Sequence, residues 1–147
     1  MSHSVNNIEQ LRLWFRECPS IVKNNHFGIN HTSEKAVEYA IFSSPSTLSY
    51  RENVLGERVL NDIQTENFIF ASKENYGADI EQNLLVLGWY QDIITWIIQQ
   101  NNAGTFPTIE NGRVLSILPT LTAYPAEVGS SVAKYQIQIA MRYKINQ

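Results

Sequence analysis

Few residues of this chain have the type and spacing that catalysis or metal binding demands. Its histidines are His3, His26 and His31, and its one cysteine is Cys18. His26 and His31 stand five apart in a polar stretch with no cysteine or carboxylate cluster beside them, which does not match a zinc spacing. None of the three histidines precedes an aspartate by four residues, as the HxxxD signature of several acyltransferases requires. The phosphate-cradling GxxxxGKS/T and GxGxxG loops are absent, as are GxSxG, HExxH and CxxC. The carboxylates are scattered, and no pair can be argued onto one face of a cleft. The expectation is therefore no enzyme, no metal and no cofactor. A triad assembled in space rather than in sequence is the one route by which a catalytic base could still arise.

What remains is surface chemistry, and it lies on two elements. The first is the stretch Asp79–Asn102, a helix at 100° per residue with apolar side chains in two stripes. Ile80, Leu84, Leu87, Tyr90, Ile94, Ile97 and Ile98 form the broad one, with Val86 and Ile93 on its flank; it is expected to pack on a sheet, with Ile94 and Ile97 at its centre. Leu85, Trp89 and Trp96 form the second, on roughly the opposite side, and are candidates for a subunit interface because aromatic residues are enriched in interface cores. Asp79 and Glu81 favour the helix start, and Asn101-Asn102-Ala103-Gly104 supplies a stop. The second element is the terminal strand. Tyr135, Ile137, Ile139, Met141, Tyr143 and Ile145 alternate without a break against Lys134, Gln136, Gln138, Ala140, Arg142, Lys144 and Asn146. The polar face of that strand carries Lys134, Arg142 and Lys144 and no acid, so it is a candidate partner face, with DNA phosphates or acidic loops as what it would meet.

The other elements follow from local signals. Val5–Cys18 reads as a helix, with Asn6 as N-cap, Glu9 three residues on, and Pro19 as the stop. Residues 21–35 read as irregular. Val37–Phe42 reads as a strand, 48–56 is ambiguous, and Arg58–Ile63 and Asn67–Ser72 are strand material with a turn or bulge at residues 65–67. Lys73–Gly77 leads into the helix. Asn111-Gly112 signals a tight turn, and residues 113–124 make a strand pair or one strand bent at Pro119. Residues 125–131 then turn the chain back. The sum is an α+β fold, with an antiparallel or mixed sheet and both helices on one face. At 147 residues the chain fits one domain, 1–147, large enough to need no disulfide. The net charge of −3 is not the basic stripe typical of duplex-binding domains, though it leaves room for a local patch. No signal peptide opens the chain and no stretch is apolar enough to span a bilayer, so a soluble, intracellular product without membrane contact is expected.

The run LPTLTAYPAEVGSSVAKYQIQIAMRYKIN, following the aromatic helix LLVLGWYQDIITWI, resembles small virion proteins encoded near the head–tail genes of tailed phages of Gram-positive hosts. It is similar to the minor capsid, tail-terminator or tail-completion proteins of those clusters, over residues 50–147. That resemblance implies a small α+β subunit, six copies of which form a ring capping the head-proximal end of a tail tube, in a phage or a phage-tail-like bacteriocin. The implied partners are other copies of the chain, the tail tube, a sheath protein where the tail is contractile, and head–tail connector proteins. Two other readings stand beside it. One is a connector or completion protein on the head side. The other is a ligand-binding or enzymatic domain whose pocket lies under the central helix, with Tyr90, Tyr135 and Tyr143 as its polar tips.

Overall fold

A computed structural model describes residues 3–21, 27–29, 38–75, 80–110, 112–129 and 132–146. The elements run α1 (His3–Phe15), β1 (Phe27–Ile29), β2 (Glu38–Ser44), β3 (Tyr50–Glu52), β4 (Arg58–Leu60), β5 (Ile63–Asn75), α2 (Ile80–Ala103), β6 (Gly112–Val128) and β7 (Val132–Ile145). The main sheet has the order β1-β2-β5-β7-β6, antiparallel except where β1 pairs with β2, and β3-β4 is a separate hairpin. The chain is α+β, with both helices on one face of the sheet.

The core lies between that face and the helices. The alternation read in β7 holds: Tyr135, Ile137, Ile139 and Met141 are all buried. Their partners across β5 are Ser72, Phe70, Phe68 and Glu66. β5 is one unbroken strand from residue 63 to 75, so no turn interrupts it at Thr65–Asn67, and it extends through Lys73–Asn75, where a loop is expected from sequence. β7 is an interior strand, flanked by β5 and β6 along its length.

Helix α2 ends as the sequence predicts. Gly104 takes a φ of 71°, its N–H donates to Asn101 O (3.2 Å), and Thr105 N–H donates to Gln100 O (2.9 Å). This pair of bonds is the Schellman arrangement, which satisfies carbonyls the last turn leaves open. Helix α1 differs. It starts at His3 and ends at Phe15, so Asn6 lies inside it rather than at its cap, and Cys18 sits buried in the turn that follows. The short β1 stands in a stretch expected to be irregular.

β6 also departs from expectation. It is a single edge strand of 17 residues that runs through both Pro119 and Pro125, so the turn expected at residues 125–131 shrinks toward the end of that range. Edge strands tolerate proline because no ladder partner needs the missing N–H. The register slips between Val114 and Ser116 and at three further steps. Asn111 lies outside the described residues, but Gly112 has a reason other than turn geometry. A Cβ there would collide with the backbone carbonyl of Lys144, the residue before its register partner Ile145 on β7. Gly88, inside α2, has open space where its Cβ would be.

These two glycines should respond in opposite ways to the same change. Gly88→Ala is expected to raise the melting temperature, since alanine is favoured over glycine by about 1 kcal/mol in a helix interior. Gly112→Ala is expected to lower it, because a backbone carbonyl cannot give way cheaply. Thermal unfolding of the two variants beside the wild type checks both signs.

Candidate functional site

The apolar face of α2 is rotated from the expected one. Val86, Tyr90, Ile93 and Ile97 are the buried row, and Trp89 and Trp96 flank it on one side, Leu87 and Ile94 on the other. Thus Ile97 lies in the core as expected, whereas Ile94 is only half-buried. The stripe of Leu85, Trp89 and Trp96 is not opposite the sheet, because both tryptophans bend into the core. Trp96 packs 4.6 Å from Trp14 of α1, and the Trp14 indole N–H donates to Thr105 O at 3.1 Å. Trp89 stacks on Tyr39 (5.5 Å, 16°) and donates its indole N–H to Ser20 O at 2.7 Å. Large rings reach further than aliphatic side chains, so a position on the flank of a helix still fills the core. Ile98 is 42% exposed, and Leu84 and Leu85, at 61% and 69%, are the most open apolar side chains described on α2. With Gly88, Gln91, Asp92 and an edge of Trp89 they line an open cleft of about 710 Å³.

Two polar knots sit beneath the helices. At one end of the sheet, Ser72 Oγ and the Tyr90 hydroxyl are 2.6 Å apart, and Tyr90 donates to Tyr135 O at 2.9 Å. Tyr90 therefore accepts from Ser72, which also shares a hydrogen bond with Glu74; burial pushes the Glu74 carboxyl above its ordinary value. At the other end, Asn7 Nδ2 donates to Glu66 Oε1 at 2.8 Å, while Asn7 Oδ1 is buried without a partner. Tyr143 joins this knot; burial, then the Glu66 charge and their shared hydrogen bond, push its hydroxyl up to about 12. Tyr90 and Tyr135, expected as polar tips of a pocket, are buried side chains. Both are packed in the core, and the Tyr90 hydroxyl is satisfied there.

The three cations of the terminal strand separate in space. Lys134 lies at one end of β7, its Nζ 4.3 Å over the Phe42 ring and Glu127 directly across on β6. Arg142 and Lys144 lie at the other end, where Arg113 stands opposite Lys144 and Ser116 and Thr65 stand opposite Arg142. The sequence reading misses Arg113. Strict alternation from Val114, which faces the core, would send Ser116 inward as well, but the irregularity at Leu115 puts both Arg113 and Ser116 on the outer face. A cleft of about 430 Å³ beside Arg142 is lined by Ser49, Arg51, Asn61, Asp62 and Ile63. The buried Gln64 amide holds it in shape. Gln64 Nε2 donates to Ser49 O (2.8 Å) and Asn61 O (2.9 Å), and Oε1 accepts from Ser49 N–H (3.0 Å).

His26 and His31 lie outside the described residues, and among the described residues no three of His, Cys, Asp and Glu gather where a metal ion could be held. No described helix is long and apolar enough to cross a membrane. In comparisons with known proteins, no family model matches the chain and no curated sequence matches it.

Two outcomes follow from this packing. Trp89→Ala is expected to destabilise the fold by about 3 kcal/mol, the low end for a buried aromatic truncated to alanine, readable as a drop in the urea midpoint. Glu74 gives a pH signature. Its folded pKa is raised, so its contribution to stability is present below the ordinary carboxylate range, near 4.3, and is lost as pH rises through the folded value. Glu74→Gln is therefore expected to be more stable than wild type at pH 7–8, with the gain vanishing below about pH 4, as melting temperatures across that range will show.

Proposed function

We propose that this chain is a structural subunit of a virion tail, a terminator or completion protein that forms a closed ring on the head-proximal end of a phage or phage-tail-like tube. Its likeness to such proteins over residues 50–147 motivates the reading. The α+β layout, with helices on one sheet face, is the layout that likeness implies.

The observation that carries it is a pair of apolar surfaces that one copy cannot bring together. The first is the cleft on α2 floored by Leu84, Leu85 and Gly88. The second is the tip of the β3-β4 hairpin, where Val54 and Leu55 are 101% and 80% exposed. The hairpin is anchored by Gln64, at the start of β5, whereas the cleft adjoins the end where Trp89 stacks on Tyr39, whose register partner is Ser72. Between Ile63 and Ser72 the strand covers about 30 Å at 3.3 Å per residue. A tip at one end and a hollow at the other match head-to-tail contact between copies, the kind that generates rings. Exposed apolar patches are characteristic of interaction sites.

Native mass spectrometry tests it. Wild type, alone or with tail tubes, is expected to give a closed ring, and Leu85→Asp, whose side chain is already in solvent, is expected to give folded monomers. A wild type that stays monomeric at high concentration and with tubes overturns the reading.

A further inference from the structure

The cations at the Ile63 end of the sheet form a cluster in which positive side chains outnumber acids among the described residues. Arg113 and Lys144 are directly opposite each other on β6 and β7, and Arg142 is two residues from Lys144 on the same face. Arg51, from the hairpin, lines the same cleft as Arg142. Like charges directly across a ladder destabilise it, yet none of these four is held in an ion pair among the described residues. The single carboxylate lining that cleft is Asp62. Lys134, by contrast, lies over the Phe42 ring with Glu127 across the ladder on β6, although Lys73 stands across from it on β5.

The spacing selects the ligand. Cβ atoms across the ladder are about 5 Å apart, and residues two apart on a strand are about 7 Å apart. One phosphate therefore reaches two of the cations, and a run of phosphates is needed to reach all four. Arginine supplies three of them, and its planar fork suits phosphate oxygens. Ser49, Asn61, Thr65 and Ser116 add neutral donors around the same groups. The cleft lining of Ser, Arg, Asn, Asp and Ile contains no ring on which a base could stack. Contact with a backbone, without reading of bases, is what such a surface offers.

We infer that Arg51, Arg113, Arg142 and Lys144 form a sequence-independent site for the sugar–phosphate backbone of duplex DNA. The inference deepens the ring reading by naming what this end of the subunit meets. Its binding test is separate from the oligomer test, so either can fail alone. A ring without DNA binding removes the site and leaves the ring; a monomer that binds DNA does the reverse.

The experiment is fluorescence anisotropy with a labelled duplex of random sequence, from 50 to 200 mM salt. Four phosphate contacts give a slope of log K against log salt of about −3.6, at about −0.9 per contact. Arg113→Gln and Arg142→Gln are each expected to weaken binding several-fold and to make the slope shallower by about one unit. Lys134→Gln is expected to change neither. All three replace side chains at a sheet surface, and circular dichroism is the check that they remain folded. Absence of binding by wild type at 50 mM salt overturns the site, as does equal loss in Lys134→Gln. Displacement of the duplex by polyglutamate at equal charge concentration also overturns it, and assigns the cluster to an acidic protein segment instead.

Discussion

Everything in this molecule is arranged around the ring of Phe70. It lies on the central stretch of β5, fully buried, and touches aromatic rings from three other elements. Phe15 of α1 stacks on it at 5.0 Å, Tyr39 of β2 lies at 6.2 Å, and Trp89 and Tyr90 of α2 lie at 6.2 and 6.0 Å. Both helices are thus seated against the same side chain, and neither can shift without disturbing the other. Aromatic pairs in offset or edge-on arrangement add about 0.5–1.5 kcal/mol each beyond the area they bury. The helices also meet directly, with Trp14 and Phe15 of α1 against Trp96 of α2. A core organised this way fixes the azimuth of α2, and that azimuth decides which of its many apolar residues remain outside.

That same fact explains what was legible in the sequence. The C-terminal end of α2 was readable because glycine at position 104 is a local signal. Its orientation was not, because apolar residues occur almost all the way round and periodicity then selects no single face. Leu84 and Ile98 count as core by hydropathy, yet they lie outside, while the two tryptophans, set apart as a separate stripe, reach inward. β7 was fully readable because strict alternation admits one register face. β6 was not, since its irregularity at Leu115 breaks the period of two, and the position of Arg113 beside Lys144 depends on that break. The basic cluster is a property of strand register, and Arg51 joins it through a hairpin anchored by a buried glutamine amide. Neither relation is written in local sequence. The three-residue β1 is too short to carry a pattern.

The buried polar groups sit toward the two ends of the sheet, and Tyr90 belongs both to one of them and to the aromatic cluster. Each knot joins a helix to strands: Tyr90 to β5 and β7 in one, Asn7 of α1 to Glu66 and Tyr143 in the other. Hydrogen bonds in a water-poor setting are directional, so these pairs set the lengthwise register of each helix, which apolar packing alone leaves loose. The carboxyl of Glu74 and the hydroxyl of Tyr143 are both pushed upward chiefly by burial.

The Asn101 side chain has a consequence for growth of the sheet. Its amide nitrogen donates to Ile117 O and its oxygen accepts from Ile117 N–H at 2.9 Å, so one side chain does at the edge of β6 what a neighbouring strand would do. Two residues on, by the alternation of the ladder, Pro119 turns its nitrogen outward and has no hydrogen to offer, and the register slips that follow twist the remaining edge. An incoming strand therefore meets a docking row that is occupied, then silent, then out of step. Along this stretch of the β6 edge, a second copy is hindered from adding strand to strand, and a contact made there falls to side chains rather than to backbone.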